Sequence, residues 1–154
     1  MNRTDQRNDT LKASLCMVAM ALFITGCSSM QPDAHMAAFS TQMTGANQVP
    51  AVATPATGVA YAALDKNTLL LRWKVSFSGL SGPAIAAHFH GPAAIGANAN
   101  ATLAFKLPVK SPVDGRATLT PAQAADLLSG KWYVSIETSA HPRGEIRGQM
   151  MLRE

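Results

Sequence analysis

Two of the chain's four histidines fall at 88 and 90, in the run Ile85-Ala86-Ala87-His88-Phe89-His90-Gly91-Pro92. A neutral imidazole nitrogen is a good ligand for copper or zinc, so two on one face are half of a metal centre. The run alternates apolar and polar residues and stops at Gly-Pro. In a strand, side chains two apart share a face, and these two would stand roughly 6.6–6.8 Å apart along it. Ile85, Ala87 and Phe89 would point the other way. Two ligands do not make a tight site, which takes three or four. Glu137, on a later alternating stretch, and His141, in the turn beyond it, are the candidates for a third. The competing reading is that both histidines hydrogen-bond backbone and fix the Gly91-Pro92 turn.

The other chemistry-bearing run is Gly144-Glu145-Ile146-Arg147-Gly148-Gln149. Its alternation puts Glu145 and Arg147 on one face, where a structural ion pair, or charges at a strand start, is expected. Glu145 has the chemistry of a general base, yet no partner carboxylate or nucleophile accompanies it. Ser78-Gly79 and Ser81-Gly82 are turn pairs, and neither forms the Gly-x-Ser-x-Gly elbow of a serine hydrolase. A phosphate-cradling glycine loop is absent as well. No catalytic residue is assigned, and the chain reads as a binding module rather than an enzyme.

The elements that must position these residues are β almost throughout. Leu69, Leu71, Trp73, Val75 and Phe77 share one parity, against Arg72, Lys74, Ser76 and Ser78 on the other. That is a half-buried antiparallel strand with one wet face. Asp65-Lys66-Asn67 turns it back on a strand over 58–64. Further strands are read over 39–44, 103–107, 116–119, 131–138 and 145–152, with Asp114-Gly115 as the turn before 116. One helix is signalled: Thr120 as N-cap, Pro121 at the first position, Gln123 completing a capping box, and Gly130 as the stop. Roughly seven or eight short strands with regular turn signals predict an all-β fold. The expected form is an immunoglobulin-like or Greek-key β-sandwich or barrel with one short crossover helix.

The start of the chain reads as an address. Arg3, Arg7 and Lys12 precede an apolar run over 13–24 that is too short to span a bilayer, which takes about 20 residues. Ile24-Thr25-Gly26-Cys27 then resembles the lipobox of bacterial lipoproteins. The division is a signal peptide over 1–26, a lipidated N-terminus and tether over 27–37, and one β domain over 38–154. The resemblance implies acylation of Cys27, and Ser28-Ser29 behind it fits sorting to the outer membrane. Two or more acyl chains, at about 0.8 kcal/mol per buried CH₂, hold a protein on a bilayer where one does not. Cys16 leaves with the signal and Cys27 is taken by lipid, so the domain has neither disulfide nor thiolate ligand. The whole chain carries a net charge of +4. Its basic residues are scattered and do not alternate with aromatics, which argues against a nucleic-acid partner. The partners expected are the lipid bilayer, through Cys27, and an envelope or extracellular protein or ligand.

Several separated blocks resemble the CHRD (chordin) domain. They are Thr44-Gly45-Ala46-Asn47-Gln48-Val49-Pro50 with Thr57-Gly58-Val59-Ala60, then Ala87-His88-Phe89-His90-Gly91-Pro92-Ala93, and finally Leu119-Thr120, Gly130, Tyr133-Val134 and the run from Gly144 to Gln149. Gly144, Glu145, Arg147 and Gly148 are its motif positions there. The resemblance implies an all-β immunoglobulin-like or Greek-key domain found in animal growth-factor antagonists and bacterial extracytoplasmic proteins. This chain departs from the pattern twice: Gln48 stands where the family typically has Glu, and Glu137 where many members have histidine. The His-x-His strand is also similar, locally, to the copper site of Cu/Zn superoxide dismutases. The zinc loop and later histidine strand of those enzymes are missing here, so dismutase activity is not carried over.

Overall fold

A computed structural model describes residues 34–153. Cys27, the segment read as a signal peptide and most of the tether lie outside the described residues. The order of elements is β1 (Met36–Thr44), a 3₁₀ turn (Gly45–Asn47), β2 (Thr57–Asp65), β3 (Leu70–Ser78), β4 (Ala84–His90), β5 (Ala101–Ala104), β6 (Val113–Thr118), α1 (Pro121–Leu128), β7 (Tyr133–Thr138), β8 (Ile146–Gln149) and β9 (Met151–Leu152). All strand pairs are antiparallel. They run β5-β4-β7-β8-β1-β2-β3-β6, with β9 alongside β1. The sheet curls into a half-barrel, because Trp73 of β3 meets Phe89 of β4 edge to face at 5.4 Å although four strands separate them in the sheet. The all-β expectation holds, with α1 as its single α-helix among the described residues.

The interior follows from the alternation. Leu71, Trp73 and Val75 of β3 are buried while Arg72, Lys74 and Ser76 face out. Phe105 closes an aromatic cluster with Trp73 at 5.2 Å and Phe89 at 5.1 Å. Each such ring contributes about 1.5–3 kcal/mol by leaving water. Helix α1 starts as read: Thr120 Oγ1 accepts from the Gln123 amide and the Gln123 side chain accepts from the Thr120 amide. Ala124 and Leu127, one turn apart, bury its inner face.

Four local expectations are corrected. Asp114-Gly115 is not a turn but part of β6, paired with Lys74 and Trp73. Glycine is needed there because a Cβ would run into the Trp73 indole. Met36 and Ala37, assigned to the tether, are strand, paired with Asp65 and Leu64. Apolar burial of Ala37 extends the ladder that far. The closing strand divides into β8 and β9 at Met150, which is buried and donates its amide to the Trp132 carbonyl. Ile85 does not join Ala87 and Phe89 in the core. A register shift between Ala84 and Ala86 turns it outward, 44% exposed.

At the two ends of the sheet the strands are short or charged. β5 has four residues, and β6 turns Asp114 and Arg116 to solvent opposite Lys74 and Arg72. The most enclosed strand is β7, where all six residues are buried. Val134 and Ile136 join the apolar core. Tyr133, Ser135 and Glu137 point to the opposite face, which is covered by loops rather than water. Gln48 donates to Ser135 Oγ at 3.2 Å from the loop after β1, and Ala99 bonds Tyr133 from the loop after β4.

Candidate metal centre and its cleft

The β4–β7 register builds the site. His88 lies opposite Ser135, His90 opposite Tyr133, and Glu137 opposite Ala86. The small Ala86 leaves room for the Glu137 carboxylate to reach diagonally toward His88, a distance long side chains span in a sheet. Nδ1 of His88 lies 3.0 Å from Glu137 Oε2, and Nε2 of His90 lies 3.7 Å from Oε1. The two imidazole centroids are 5.7 Å apart. One ligand atom from each of the three residues falls within 4.8 Å of the others. Glu137 is buried, and both histidines are partly so.

The two rings have different hydrogen-bond histories. Nδ1 of His90 lies 3.1 Å from the Ala99 carbonyl. That oxygen only accepts, so Nδ1 carries a hydrogen, and in the neutral imidazole that a metal takes the lone pair is on Nε2. Nε2 is buried without a hydrogen-bond partner. Nδ1 of His88 instead faces the carboxylate and donates to it.

Behind His90 is a stack. Its ring lies on Tyr133 at 4.7 Å, and the Arg147 guanidinium sits 3.4 Å from the centroid of the same phenol. β4 and β8 flank β7 on opposite sides, so Tyr133 is held between a histidine and a cation. Arg147 continues into the 91–100 loop, donating to the Ala97 carbonyl at 2.7 Å and to Asn98 Oδ1 at 3.1 Å. The Tyr133 hydroxyl donates to the Ala99 carbonyl and accepts from the Ala99 amide. Burial pushes Arg147 below its ordinary pKa, and Tyr133 beside it pushes back.

Of the two expectations for Glu145 and Arg147, the ion pair does not form. Glu145 is fully buried and accepts from the Ser81 hydroxyl at 2.6 Å, the Thr138 hydroxyl at 2.7 Å, and the Thr54 hydroxyl and Ser81 amide at 2.8 Å each. Burial alone would raise its pKa. The bonds from Ser81, Thr138 and Thr54 outweigh it and leave the value at about 2. The carboxylate thus ties three separate segments together and has no open side for substrate. Gly144 precedes it at φ +119°, and a Cβ there would meet the Gln48 amide and Ser135 Oγ. Gly148 likewise lies close against Thr41.

Of the residues read as ligands, the fold brings together His88, His90 and Glu137. His141 is left out of that group. Its turn is closed by backbone bonds to Thr138, and its neighbours Pro142 and Arg143 reach the cleft instead. Sequence reading missed Ala99, Asn98 and Tyr133. The loop residues carry no pattern that could reveal them, since Ala99 acts through its backbone. Tyr133 was detectable as an aromatic on the polar parity of its strand, and the β4–β7 register sets it across from His90. Together His88, His90 and Glu137 open on a cleft of about 480 Å³.

Fold and site define an all-β domain in which a His-x-His strand and a buried glutamate line a surface cleft. The family model of the CHRD domain matches residues 39–150, and the chain belongs to that family. No curated protein and no solved structure matches it.

Proposed function

We propose that this CHRD domain is a binding module of the cell envelope whose ligand is a copper or zinc ion held by His88, His90 and Glu137. One observation carries the reading: Nε2 of His90, lone pair outward and without a donor, faces a carboxylate oxygen 3.7 Å away. Two acceptors set against each other in a buried place repel, and an unmade hydrogen bond there costs about 1–3 kcal/mol. A cation between them removes both penalties. Two histidines and a glutamate are also an established open zinc ligand set, and the Ala99 carbonyl supplies the outer hydrogen bond that orients a metal-binding imidazole.

Loading decides the matter. Full-length protein in detergent, incubated with copper or zinc and desalted, should keep one ion per chain, and His88→Ala/His90→Ala should keep none. Equal, negligible retention by both proteins sinks the metal reading and leaves a binding module for another envelope or extracellular partner.

The anchored part of the proposal rests on the apolar run over 13–24 and on Cys27 behind it. Acylated Cys27 would hold the domain on the outer membrane. Cys27→Ser should then move the protein from the membrane pellet to the soluble fraction. Unchanged pelleting counts against lipidation.

A further inference from the structure

The ligand set is incomplete in an informative way. Three protein ligands leave at least one position of a zinc or copper ion for something else. His88, His90 and Glu137 all line the same cleft, so that position opens into it. A volume of about 480 Å³ is far more than a water needs and falls within the range of small-molecule sites.

The walls say what would fit. Besides the three ligands, Arg143 is the only ionic side chain lining the cleft. It is exposed and forms no salt bridge among the described residues. Glu137 offsets only one of the two charges of a divalent ion, so ion and Arg143 together leave the cleft positive. Val49, Pro50, Ile85 and Pro142 give it an apolar side. Ile85 is there because the register shift in β4 expels it from the core. An exposed isoleucine beside a cationic centre is a surface for an apolar body attached to an anionic head.

We infer that the metal-loaded cleft binds a small carboxylate whose head completes the coordination of the ion beside Arg143 and whose apolar body lies along Ile85, Val49 and the two prolines. The inference rests on the metal reading above. The carboxylate replaces solvent at the ion, with no covalent or redox step. Arg143 adds a charge-assisted bond to the head, and the apolar wall favours ligands with a hydrocarbon body.

Copper(II) serves as both occupant and reporter. Full-length protein in detergent is loaded with copper(II) and titrated with benzoate, and with acetate as the head alone. The electron paramagnetic resonance and visible spectra are followed. Expected are a saturable spectral change with benzoate, a weaker acetate response, and about a tenfold loss of benzoate affinity in Arg143→Ala at unchanged copper content. That factor corresponds to the loss of one charged hydrogen bond. A wild type that retains one copper per chain, yet shows no spectral change with saturating benzoate, overturns the carboxylate site while leaving the metal reading intact. Arg143→Ala titrating like wild type, or acetate binding as tightly as benzoate, overturns it too. A wild type that keeps no more copper than His88→Ala/His90→Ala fails the metal reading first, and this inference with it.

Discussion

The imidazole of His90 lies flat on the phenol of Tyr133, with ring centroids 4.7 Å apart and planes within 2° of each other. The pair is directly opposed in the β4–β7 ladder, and both side chains meet the same backbone carbonyl, that of Ala99. The ring of His90 is therefore fixed in rotation by a stacked face and, in its neutral form, in tautomer by a hydrogen bond. That is the preparation a metal ligand needs, and Tyr133 and Ala99 would supply it from outside the set of His88, His90 and Glu137.

Tyr133→Leu should lower zinc affinity about 10–100-fold, the usual effect of losing an outer-shell partner. Tyr133→Phe keeps the stack but loses both bonds to Ala99, and should fall between Leu and wild type. Competition against a chromophoric chelator measures this. Wild-type affinity in the leucine variant would show that the stack serves folding alone.

Glu145 makes stability depend on acid. Its folded pKa of about 2 lies below the ordinary 4.5, so its contribution is complete above about pH 4.5 and fades as pH falls toward 2. The size is about 3 kcal/mol. Urea unfolding of Glu145→Gln should show that loss at pH 7 and a flatter decline between pH 5 and 2. An unchanged acid slope would assign the decline to other carboxylates.

Gly144→Ala should destabilise the domain by about 3 kcal/mol. The new Cβ meets positive φ strain and displaces the buried Gln48–Ser135 bond at once. Chemical denaturation of the variant tests it, and a cost under about 1 kcal/mol would mean that the loop over 45–56 yields easily.

Ion uptake should move a proton within His88. Nδ1 of His88 donates to Glu137 in the free protein, and a ligating nitrogen must give that proton up, which the partly buried neutral ring does by carrying it on Nε2 instead. Nitrogen-15 spectra of the imidazoles should show His88 change tautomer on zinc loading. An unchanged Nδ1–H pattern in the loaded protein would place the ion on other atoms.

What the sequence disclosed and what it hid divide along a physical line. Parity in β3 and β4 and the capping residues of α1 act within a few residues of chain, so they are visible in one dimension. The shared face of His88 and His90 was legible for the same reason, whereas Glu137 and His141 stood as alternatives for a third position and only the β4–β7 register brings Glu137 to it. Hidden were facts set by pairing across the sheet. Asp114-Gly115 has turn composition, and only the Trp73 indole explains a glycine inside β6. Glu145 and Arg147 share a strand face, yet the hydroxyls of Thr54, Ser81 and Thr138 take one and the 91–100 loop takes the other. His141 sits in the turn next to the site strand but points its neighbours, not itself, at the cleft.

The ends of the sheet bear on how many copies a membrane could carry under the proposed anchoring. Molecules tethered to one leaflet are confined to a plane and collide side by side far more often than in bulk. A long, bare strand edge would turn those collisions into intermolecular sheet. Here one margin is a four-residue strand, and the other bears Asp114 and Arg116. A neighbour in parallel register would meet like charges at both positions, whereas an antiparallel one centred on Gly115 would bring Asp114 against Arg116. A short margin and a charged one both give a neighbour little bare edge to extend, which matters most under the proposed anchoring, where copies would share a plane.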